Sequence, residues 1–491
     1  MATPIPRNQA RFALTEIVAA TGGRLVGGAN ELSITGICTD SRAVEPGNLY
    51  VALQGETHDG HRFVAQAFER GASAALVART ADVASAQPLI VVDDTLHALG
   101  ELARAHRVRW AGRVIGITGS AGKTTTKELT YAALVGCGAR VLRTEGNLNN
   151  LIGVPMTILC LDASVEVAVL ELGTSARGEI ARLAEIARPD VGVVTSVAAA
   201  HAAGLGSVEG VAQEKAALLA SIPEAGATVC FADEPKLLAQ LSRVRAKNNQ
   251  LFGHAQNADV RLVSHALQTA HASLRMTCEL AIKGAGVERA TLALIGEGPA
   301  LDLAAVVAVV LAEHGAAALP AAFAAMAKVA PVAGRLVPLP GPHGSVVIDD
   351  TYNANPASMA VSIAAARELA RARGGRALLV LGDMRELGTL SLDEHRKVGR
   401  LAAQAGVALI VAVGPEMAVA AEAARGQAAL AQLAIDIAHT EDVRYAVSLV
   451  LQRLTPSDVV LIKGSRGMRM ERVLGPLIAR PQAPTSAGGA A

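Results

Sequence analysis

A glycine-rich segment that ends in lysine and threonine is the part of this chain whose residue types most directly indicate chemistry. Residues 116–127 read GITGSAGKTTTK and follow the β-branched pair Val114-Ile115. Such a loop between a strand and a helix wraps its backbone N–H groups around a phosphate, and the helix adds the positive end of its dipole. Lys123 would contact the β- and γ-phosphates, and the Thr124 hydroxyl would bind Mg²⁺. The segment therefore predicts binding of a nucleoside triphosphate.

The spacing of this loop differs from the common one. The usual loop has a glycine five residues before the glycine of its Gly-Lys pair, and that position is Ile117 here. Its close spacing is Gly119-x-x-Gly122-Lys123-Thr124 instead. Since kinases, GTPases and ligases all use such loops, the loop alone leaves the reaction class open. A switch or binding module driven by nucleotide hydrolysis is a further alternative.

Other apolar segments end in polar residues where parallel strands would present ligands. The segments 165–171 (VEVAVLE) and 191–196 (VGVVTS) have this form. Ligands of open parallel sheets bind beyond the carboxyl ends of the strands. Glu171 is therefore a candidate Mg²⁺ ligand beside the loop, or alternatively a carboxylate that caps a helix beginning near Gly178.

Composition and charge exclude several functional classes. The 491 residues carry a formal net charge of +1, so no overall field favours nucleic acid or an acidic membrane. The five cysteines are scattered, which is typical of a reducing compartment and not of a disulfide framework. Residues 1–11 lack the apolar segment of a secretory signal, and the longest apolar run, 303–312, is far shorter than the ~20 residues of a membrane span. We therefore expect a cytoplasmic protein with no membrane insertion and no nucleic-acid partner.

The order of strand and helix patterns divides the chain into three α/β blocks and a tail. We expect an N-terminal α/β domain at 1–108, a central domain with a parallel sheet around the loop at 109–328, and a smaller, doubly wound domain at 329–480. Residues 259–295 alternate as antiparallel strands do. The tail at 481–491, rich in Pro, Ala, Gly and Ser, is predicted to be disordered.

Together with several other segments, the loop resembles the Mur ligase family of peptidoglycan synthesis, over roughly residues 12–478. Each piece alone is weak, but their shared order and spacing make the resemblance specific. The matching segments are Thr39–Arg42, Tyr50–Gly55, Asp59–His61, the loop, Gly146–Asn150, Ile152–Pro155, Glu171–Gly173, Gly178–Ile180, His201, Lys215, Gly334-Arg335, Asp349–Pro356, Leu381–Gly388 and Lys463–Gly467.

Two segments indicate which member of the family is closest. DDTYNANP at 349–356 and LGDMRELG at 381–388 resemble the ligase that adds D-alanyl-D-alanine to UDP-N-acetylmuramoyl-tripeptide, and the strings DYAH and DNPR, usual in the ligase that adds the third residue, do not occur. The resemblance implies a three-domain architecture with a Rossmann-like C-terminal domain. It also implies a monomeric, ATP-dependent peptide ligase that converts the carboxylate of the tripeptide to an acyl phosphate, which the amine of D-alanyl-D-alanine then attacks. Another Mur-type or a folyl-polyglutamate-type amide ligase is the alternative.

The resemblance further implies a metal site with two Mg²⁺ ions beside the loop. Glu171, His201 and Lys215 would join Thr124 there, with Lys215 carbamylated by CO₂ so that it presents oxygen ligands, which Mg²⁺ prefers. From the sequence alone, Lys215 reads as a solvated lysine on a helix, and a lone histidine is more often structural than a ligand.

Residues that contact ATP are implied in the same way. Arg335 would follow the charge on the transferred phosphoryl group, so that Lys123, Lys215 and Arg335 are the expected catalytic residues. Asp350 would bind the ribose hydroxyls, while Asn353 and Asn355 could instead only order their turn. The expected ATP-binding residues are Gly119, Ser120, Ala121, Gly122, Lys123, Thr124, Thr125, Asp302, Arg335, Asp350 and Asn353.

The substrate contacts implied by the resemblance fall in three groups, and the residue types of the first two are also common in turns. One group would line the UDP and muramoyl pocket, a second would bind phosphate or sugar oxygens and the reacting carboxylate, and a third would face the incoming dipeptide. These groups are Ser41, Arg42, Asp59 and His61; Asn147, Asn149 and Asn150; and Asp383, Arg385, Ser465 and Arg466.

One segment departs from the family pattern. Where relatives usually show Gly-x-His-Asn-Val-x-Asn, this chain has GEGPALD at 296–302, so Gly298-Pro299 replaces the pair that helps to hold adenine and Asp302 replaces the second asparagine. We therefore expect weaker affinity for ATP, or weaker discrimination against GTP, than in relatives.

Overall fold

The computed structural model describes residues 3–27, 32–55, 58–79, 81, 83, 87–198, 202–270 and 273–478. Within these residues, three larger sheets of five, nine and six strands follow one another along the chain, and helices cover their faces. We call them the N-terminal, central and C-terminal sheets. They confirm the predicted α/β class, whereas the tail predicted to be disordered at 481–491 lies outside the described residues.

The N-terminal sheet is built from short strands that pair mostly in parallel. Its region contains β1 (Arg11–Ala13), α1 (Leu14–Thr21), β2 (Arg24–Val26), β3 (Ser33–Thr35), β4 (Ile37–Cys38), β5 (Leu49–Val51), α2 (Val64–Glu69), β6 (Ala74–Ala78), β7 (Leu89–Val92) and α3 (Thr95–Arg109). The strand order is β2-β7-β6-β5-β4, with β2 antiparallel, and β1 pairs separately with β3. Asp94 caps the N-terminus of helix α3, and its side chain accepts hydrogen bonds from two N–H groups of the first turn.

The central sheet carries the glycine-rich loop. Its region contains β8 (Arg113–Thr118), α4 (Lys123–Gly136), β9 (Val141–Arg143), α5 (Gly153–Ile158), β10 (Val167–Glu171), α6 (Glu179–Ala187), β11 (Val191–Val194), α7 (Ala202–Leu205), α8 (Val208–Ser221), β12 (Ala227–Phe231), α9 (Pro235–Leu238), β13 (Asn248–Gly253), β14 (Val260–Ala270), β15 (Ser273–Ile282), β16 (Gly286–Leu292), α10 (Glu297–His314) and α11 (Leu319–Met326). The order is β16-β15-β14-β13-β12-β11-β8-β10-β9. Along this order, all neighbouring strands from β14 to β9 pair in parallel, β8 included. Strands β14, β15 and β16 pair antiparallel, as the alternation at 259–295 predicts.

Both faces of the central sheet are buried, which explains its continuous apolar runs. In β8, Val114 packs in one apolar cluster with α3 and α6, whereas Ile115 and Ile117 pack in the other with α4 and α10. The neighbours of β8 are β10 and β11, both parallel to it. The polar residues after these three strands therefore meet at one edge of the sheet.

The C-terminal sheet is a smaller doubly wound unit. It contains β17 (Val337–Pro340), β18 (Val346–Asp350), α12 (Pro356–Ala372), β19 (Ala377–Gly382), α13 (Ser391–Gln404), β20 (Leu409–Val413), α14 (Met417–Leu430), β21 (Asp436–Thr440), α15 (Val443–Leu451), β22 (Val459–Lys463) and α16 (Glu471–Leu477). The order is β17-β18-β22-β19-β20-β21, and only β17 is antiparallel to its neighbour. In the part of the chain that the structure describes, no helix is both long and apolar enough to cross a membrane.

Candidate functional site

A cleft of about 570 Å³ lies between the carboxyl edge of the central sheet and the C-terminal sheet. The glycine-rich loop and the residues after β10 and β11 line one wall. The other wall comes from residues 329–336 and from the segment that follows β18. The cleft thus brings together most of the residues that the sequence predicts to bind ATP, including Ser120, Ala121, Gly122, Lys123, Thr125, Asp302, Arg335, Asp350 and Asn353.

Two glycines give the loop its shape. A Cβ atom on Gly119 would lie 1.9 Å from Thr195 Oγ1, and one on Gly122 would lie 2.2 Å from Asp302 Oδ1. Gly122 also has a φ of 83°, in the left-handed region that side chains other than glycine rarely adopt. The backbone therefore runs directly against Thr195 and Asp302, and no other residue type fits either position.

The residues that follow β11 form hydrogen bonds to the backbone of the loop. The sequence did not predict them as residues of the site. Thr195 Oγ1 donates to Ala121 O at 2.5 Å, and Ser196 Oγ accepts from Ala121 N at 2.9 Å. From the other wall, Asn355 Nδ2 donates to Ser120 O at 3.1 Å. Thr195 and Ser196 end the apolar segment 191–196, where the sequence predicts that ligands bind, but neither residue was predicted to belong to the site.

Lys123, Thr124, Asn149 and Glu171 form a polar group beside the loop. Lys123 Nζ donates to Gly119 O at 2.7 Å, and burial lowers the pKa of this amine although the Glu171 carboxylate opposes the shift. The Glu171 carboxylate accepts from Thr124 Oγ1 and from Asn149 Nδ2, each at 2.8 Å. A carboxylate and a hydroxyl thus converge on the edge of the cleft where a phosphate would lie.

The alternative role for Glu171, a cap on the helix near Gly178, falls to another carboxylate. Glu214 Oε2 accepts from Gly178 N at 2.7 Å, and its Oε1 accepts from Ile180 N at 2.8 Å. Helix α6 is therefore capped by Glu214, a residue of α8. Glu171 remains free of that task and faces the cleft.

Lys215 follows Glu214 on α8 and is buried, so it is not the solvated lysine that the sequence alone suggests. No hydrogen bond joins its Nζ to another residue that the structure describes. Burial, reinforced by the positive charge of Lys123, holds the pKa of Lys215 well below its usual range. His201, the fourth predicted metal ligand, lies outside the described residues.

The opposite wall is organised around Asp350, which ends β18. Its Oδ2 accepts from Lys463 Nζ at 2.6 Å and from Ser362 Oγ at 2.5 Å, while Oδ1 accepts from Leu336 N at 3.2 Å. Lys463 Nζ also donates to Asn353 O at 3.0 Å. Asp350, the predicted ribose ligand, therefore also connects three segments of this wall by hydrogen bonds. Lys463 lines the cleft as well, and the sequence did not predict it as a residue of the site.

Asp302 lies under the loop as a buried carboxyl group. Its Oδ1 accepts from Thr126 Oγ1 at 3.0 Å. Burial raises the pKa of Asp302 to about 8, although the hydrogen bond from Thr126 and the charge of Arg335 act against the shift. The carboxyl group is therefore protonated over most of the physiological range.

The segment that departs from the family pattern lines an apolar end of the cleft. Gly298 and Pro299 lie there with Leu294, Leu336 and Val361. A Cβ atom on Gly298 would lie 2.9 Å from Val361 Cγ1, so α12 leaves no room for a larger side chain. Weaker ATP affinity or weaker discrimination against GTP stays a prediction.

Three asparagines that follow β9 lie in the cleft together with the loop. Asn147, Asn149 and Asn150 all line the cleft. Asn150 Oδ1 accepts from Ile152 N and Gly153 N, which is the turn-forming role, whereas Asn149 contacts Glu171. Of the three, Asn149 is thus the one that is built into the polar group.

The predicted N-terminal substrate residues lie away from this cleft and contact their own neighbours. His61 Nδ1 lies 2.6 Å from Asp59 Oδ1, and His61 Nε2 accepts from Ala78 N at 2.9 Å. Ser41 Oγ donates to Gln66 Oε1 at 2.7 Å, and Arg42 pairs with Asp40. The Asp59–His61 contact holds the pKa of the Asp59 carboxyl below its usual range.

The four predicted dipeptide residues gather around the ends of β19 and β22. Ser465 Oγ accepts from Arg385 N at 2.8 Å, Asp383 Oδ1 accepts from Met417 N at 2.9 Å, and Arg466 pairs with Glu471 at the surface. None of the four lines the cleft as the structure describes it; their neighbour Glu386 does. Glu386 has a φ of 67°, a strained conformation for this residue type that is common at functional sites.

The chain is similar to known proteins both in sequence and in structure. Three family models match: "Mur ligase family, catalytic domain" at residues 33–107, "Mur ligase middle domain" at 117–310 and "Mur ligase, glutamate ligase domain" at 334–466. The UDP-N-acetylmuramoyl-tripeptide–D-alanyl-D-alanine ligase of Bacillus subtilis is 34% identical over 91% of this chain and 94% of its own length. The ligase of the same name from Escherichia coli is also 34% identical, over 94% of this chain and 97% of its own length.

Solved structures agree with the sequence comparisons. MurF from Acinetobacter baumannii is similar with a TM-score of 0.83 and 30% identity, over 97% of this chain and 99% of the other. MurF from Thermotoga maritima in complex with ADP is similar with a TM-score of 0.78 and 29% identity, over 89% and 96%. These likenesses confirm the predicted three-domain architecture.

Proposed function

The chain belongs to the Mur ligase family, and from this premise we propose that it joins D-alanyl-D-alanine to UDP-N-acetylmuramoyl-tripeptide, using ATP. The products are UDP-MurNAc-pentapeptide, ADP and phosphate, in peptidoglycan synthesis. The observation that carries the proposal is the cleft, in which a phosphate-binding loop with Lys123 faces Arg335 of the opposite wall. Relatives similar over more than nine-tenths of this chain bear the name of this ligase.

The reaction asks the protein for positioning and for neutralisation of charge. A carboxylate is a poor electrophile, so the terminal carboxylate of the tripeptide attacks the γ-phosphoryl group and becomes an acyl phosphate, and ADP leaves. The amine of D-alanyl-D-alanine then attacks the carbonyl carbon, and phosphate leaves. Lys123 and Arg335, on opposite walls, are placed to offset the phosphate charge during both steps.

The residues beside the loop fit Mg²⁺. The Glu171 carboxylate and the Thr124 hydroxyl are hard oxygen ligands, and phosphate oxygens and waters would complete the shell of two ions. Bound Mg²⁺ would neutralise charge on the triphosphate. Among the described residues, no group of three or more His, Cys, Asp or Glu side chains forms a metal site.

We also propose that Lys215 is carbamylated. Its buried amine has a pKa well below the usual range, which favours the neutral form that attacks CO₂. The new N–C bond forms as the amine loses a proton, and the carbamate carries a negative charge beside Lys123. Loss of activity in Lys215→Ala with partial recovery on adding short carboxylic acids would support the carbamate, and an unaffected variant would contradict it.

The remaining assignments are proposals of the same kind. Residues 1–108 would bind the UDP-sugar, 109–328 ATP and 329–480 the dipeptide. Because all walls of the cleft come from one chain, a monomer suffices for the reaction. The substrates are cytoplasmic metabolites in this scheme, so we place the protein in the cytoplasm.

Phosphate release tests the function directly. The protein is incubated with ATP and UDP-MurNAc-tripeptide, carrying either meso-diaminopimelate or lysine as the third residue, with and without D-alanyl-D-alanine. We expect release that depends on the dipeptide and formation of the pentapeptide by mass spectrometry. Slow hydrolysis that no amino acceptor stimulates would favour a nucleotide-driven switch instead, and stimulation by another acceptor would favour a different amide ligase.

A further inference from the structure

Arg335 is held in the cleft by an aromatic ring. Its Cζ lies 4.3 Å from the centroid of the Tyr352 ring, which is within the range of a cation–π contact. Among the residues that the structure describes, no hydrogen bond or ion pair engages the guanidinium group. Its N–H donors are therefore available to a ligand, while the flat face of the group is fixed.

The residues on either side of Arg335 are hydrogen-bonded to the segment that carries Tyr352. Gly334 N donates to Asp349 Oδ2 at 3.2 Å, and Tyr352 N donates to Gly334 O at 3.1 Å. Leu336, with a φ of 50°, is held in the left-handed region by the hydrogen bond from its N–H to Asp350 Oδ1. The two segments that carry Arg335 and Tyr352 are thus held next to each other by their backbones. The cation–π contact fixes the relative position of the two side chains.

The carboxylates nearest to Arg335 in the chain are already used. Asp349 accepts from Gly334 N and from Thr351, and Asp350 accepts from Lys463, Ser362 and Leu336 N. A carboxylate paired with Arg335 would compete with phosphate for its donors. An aromatic ring holds the cation without occupying any donor.

The guanidinium faces the loop across the cleft. Lys123 and Arg335 line opposite walls of the cleft, so the positive charge of Arg335 faces the loop. The same charge opposes the rise in the pKa of Asp302 under the loop. Arg335 therefore lies in the same cleft as the loop and as the buried carboxyl group beneath it.

We propose that Tyr352 is a positioning residue whose ring holds Arg335 toward the triphosphate and leaves its N–H donors free for phosphate. This inference rests on the proposed ligase function. Since the ring acts through Arg335, the two residues should be energetically coupled, and the coupling should need the ring but not the hydroxyl.

A double-mutant cycle tests the coupling. We compare wild type, Tyr352→Leu, Arg335→Ala and the double variant, with Tyr352→Phe as the matched control, by kcat and KM for ATP in dipeptide-dependent phosphate release. We expect Tyr352→Leu to lower kcat on the order of tenfold, because a partly buried cation–π contact is lost. Tyr352→Phe should stay near wild type, and Tyr352→Leu should cause no further loss in the Arg335→Ala background.

Equal losses from Tyr352→Leu in both backgrounds would overturn the inference, because the ring would then act without Arg335. A Tyr352→Phe variant as impaired as Tyr352→Leu would also overturn it. If thermal unfolding shows that Tyr352→Leu does not fold, Tyr352→Gln replaces it in the cycle. Failure of the wild type to show dipeptide-dependent release would count against the proposed function instead, so the two failures are distinguishable.

Discussion

Each wall of the cleft contains a lysine that is bound to protein oxygen, but the two oxygens differ in charge. On the loop wall, Lys123 Nζ donates to the neutral carbonyl oxygen of Gly119 at 2.7 Å. On the opposite wall, Lys463 Nζ lies 2.6 Å from a carboxylate oxygen of Asp350, and both side chains are buried. Among the residues that the structure describes, no carboxylate forms an ion pair with Lys123, whereas the charge of Lys463 is already neutralised by Asp350.

Under the proposed function, the difference distinguishes a lysine that contacts the triphosphate from one that stabilises the fold. A buried ion pair that loses one partner leaves an uncompensated charge, so its removal is felt in stability. A lysine at a phosphate loop acts mainly on the charge of the substrate, so its removal is felt in the reaction. Four experiments would break or sharpen this comparison.

The largest effect is expected from Lys123→Ala. The variant loses the cation that offsets phosphate charge, so dipeptide-dependent phosphate release should fall on the order of 10²–10³-fold or more. The fold should persist, because only one hydrogen bond to a carbonyl is lost. Circular dichroism and thermal unfolding check the fold. A folded variant with near-normal turnover would contradict the assignment of the loop.

Lys463→Met, in contrast, should mainly lower the stability of the fold. It leaves Asp350 buried without its cation, which typically lowers the free energy of unfolding by about 3–5 kcal/mol. The matched control is Lys283→Met, which removes a lysine that is 81% exposed and pairs with Asp259 at 3.0 Å. Surface pairs of this kind contribute roughly 0–1 kcal/mol. Equal losses in denaturant unfolding would remove the contrast between the walls.

Asp302→Asn tests the buried carboxyl under the loop by its pH dependence. The folded chain keeps this group protonated up to about pH 8, whereas the unfolded chain ionises it near pH 4, so wild-type stability declines over that interval as pH rises. The variant cannot ionise, and its Tm should match wild type near pH 4 and exceed it increasingly toward pH 8. Asp59→Asn is the opposite control, since the lowered pKa of Asp59 means that its charge stabilises the fold above about pH 4. A constant difference for Asp302→Asn at all pH values would refute the assignment.

The smallest effect is expected from His265→Gln, at a contact between the two walls. His265 Nε2 on β14 lies 3.3 Å from Glu368 Oε2 on α12, and this hydrogen bond, helped by Glu297, raises the pKa of His265. Such a pair stabilises below the unfolded pKa of histidine, about 6.5, and its contribution is lost as pH rises through the raised value. The variant should lose about 0.5–1 kcal/mol at pH 6 and nothing at pH 9.

The control for this pair is His254→Gln. His254 contacts Glu297 at 2.9 Å but is 45% exposed, so its loss should be smaller at pH 6. Denaturant unfolding of both variants at the two pH values measures the difference. A loss in His265→Gln that does not change with pH would indicate that packing, and not charge, joins β14 to α12.

Local patterns predicted the loop wall well. The loop, Glu171 at the end of an apolar strand and the helix that holds Lys215 all follow from spacing, because backbone geometry near a strand end is set within a few residues. The same patterns were ambiguous in the N-terminal region, where Asp59 and His61 contact each other. Residue type alone does not show whether the polar side chains of a turn bond to each other or are available to bind a ligand.

The sequence by itself determined the α/β class, the phosphate loop and the order of the sheets, since periodicity and glycine placement act over short distances. Only the tertiary structure decided that Lys463 neutralises Asp350, that Glu214 and not Glu171 caps α6, and that Tyr352 lies against Arg335. Lys463 and Asp350 are 113 residues apart and lie on neighbouring strands that are not consecutive in the chain. Contacts of this kind depend on how strands order themselves in a sheet, and many pairings satisfy the same hydrophobic pattern.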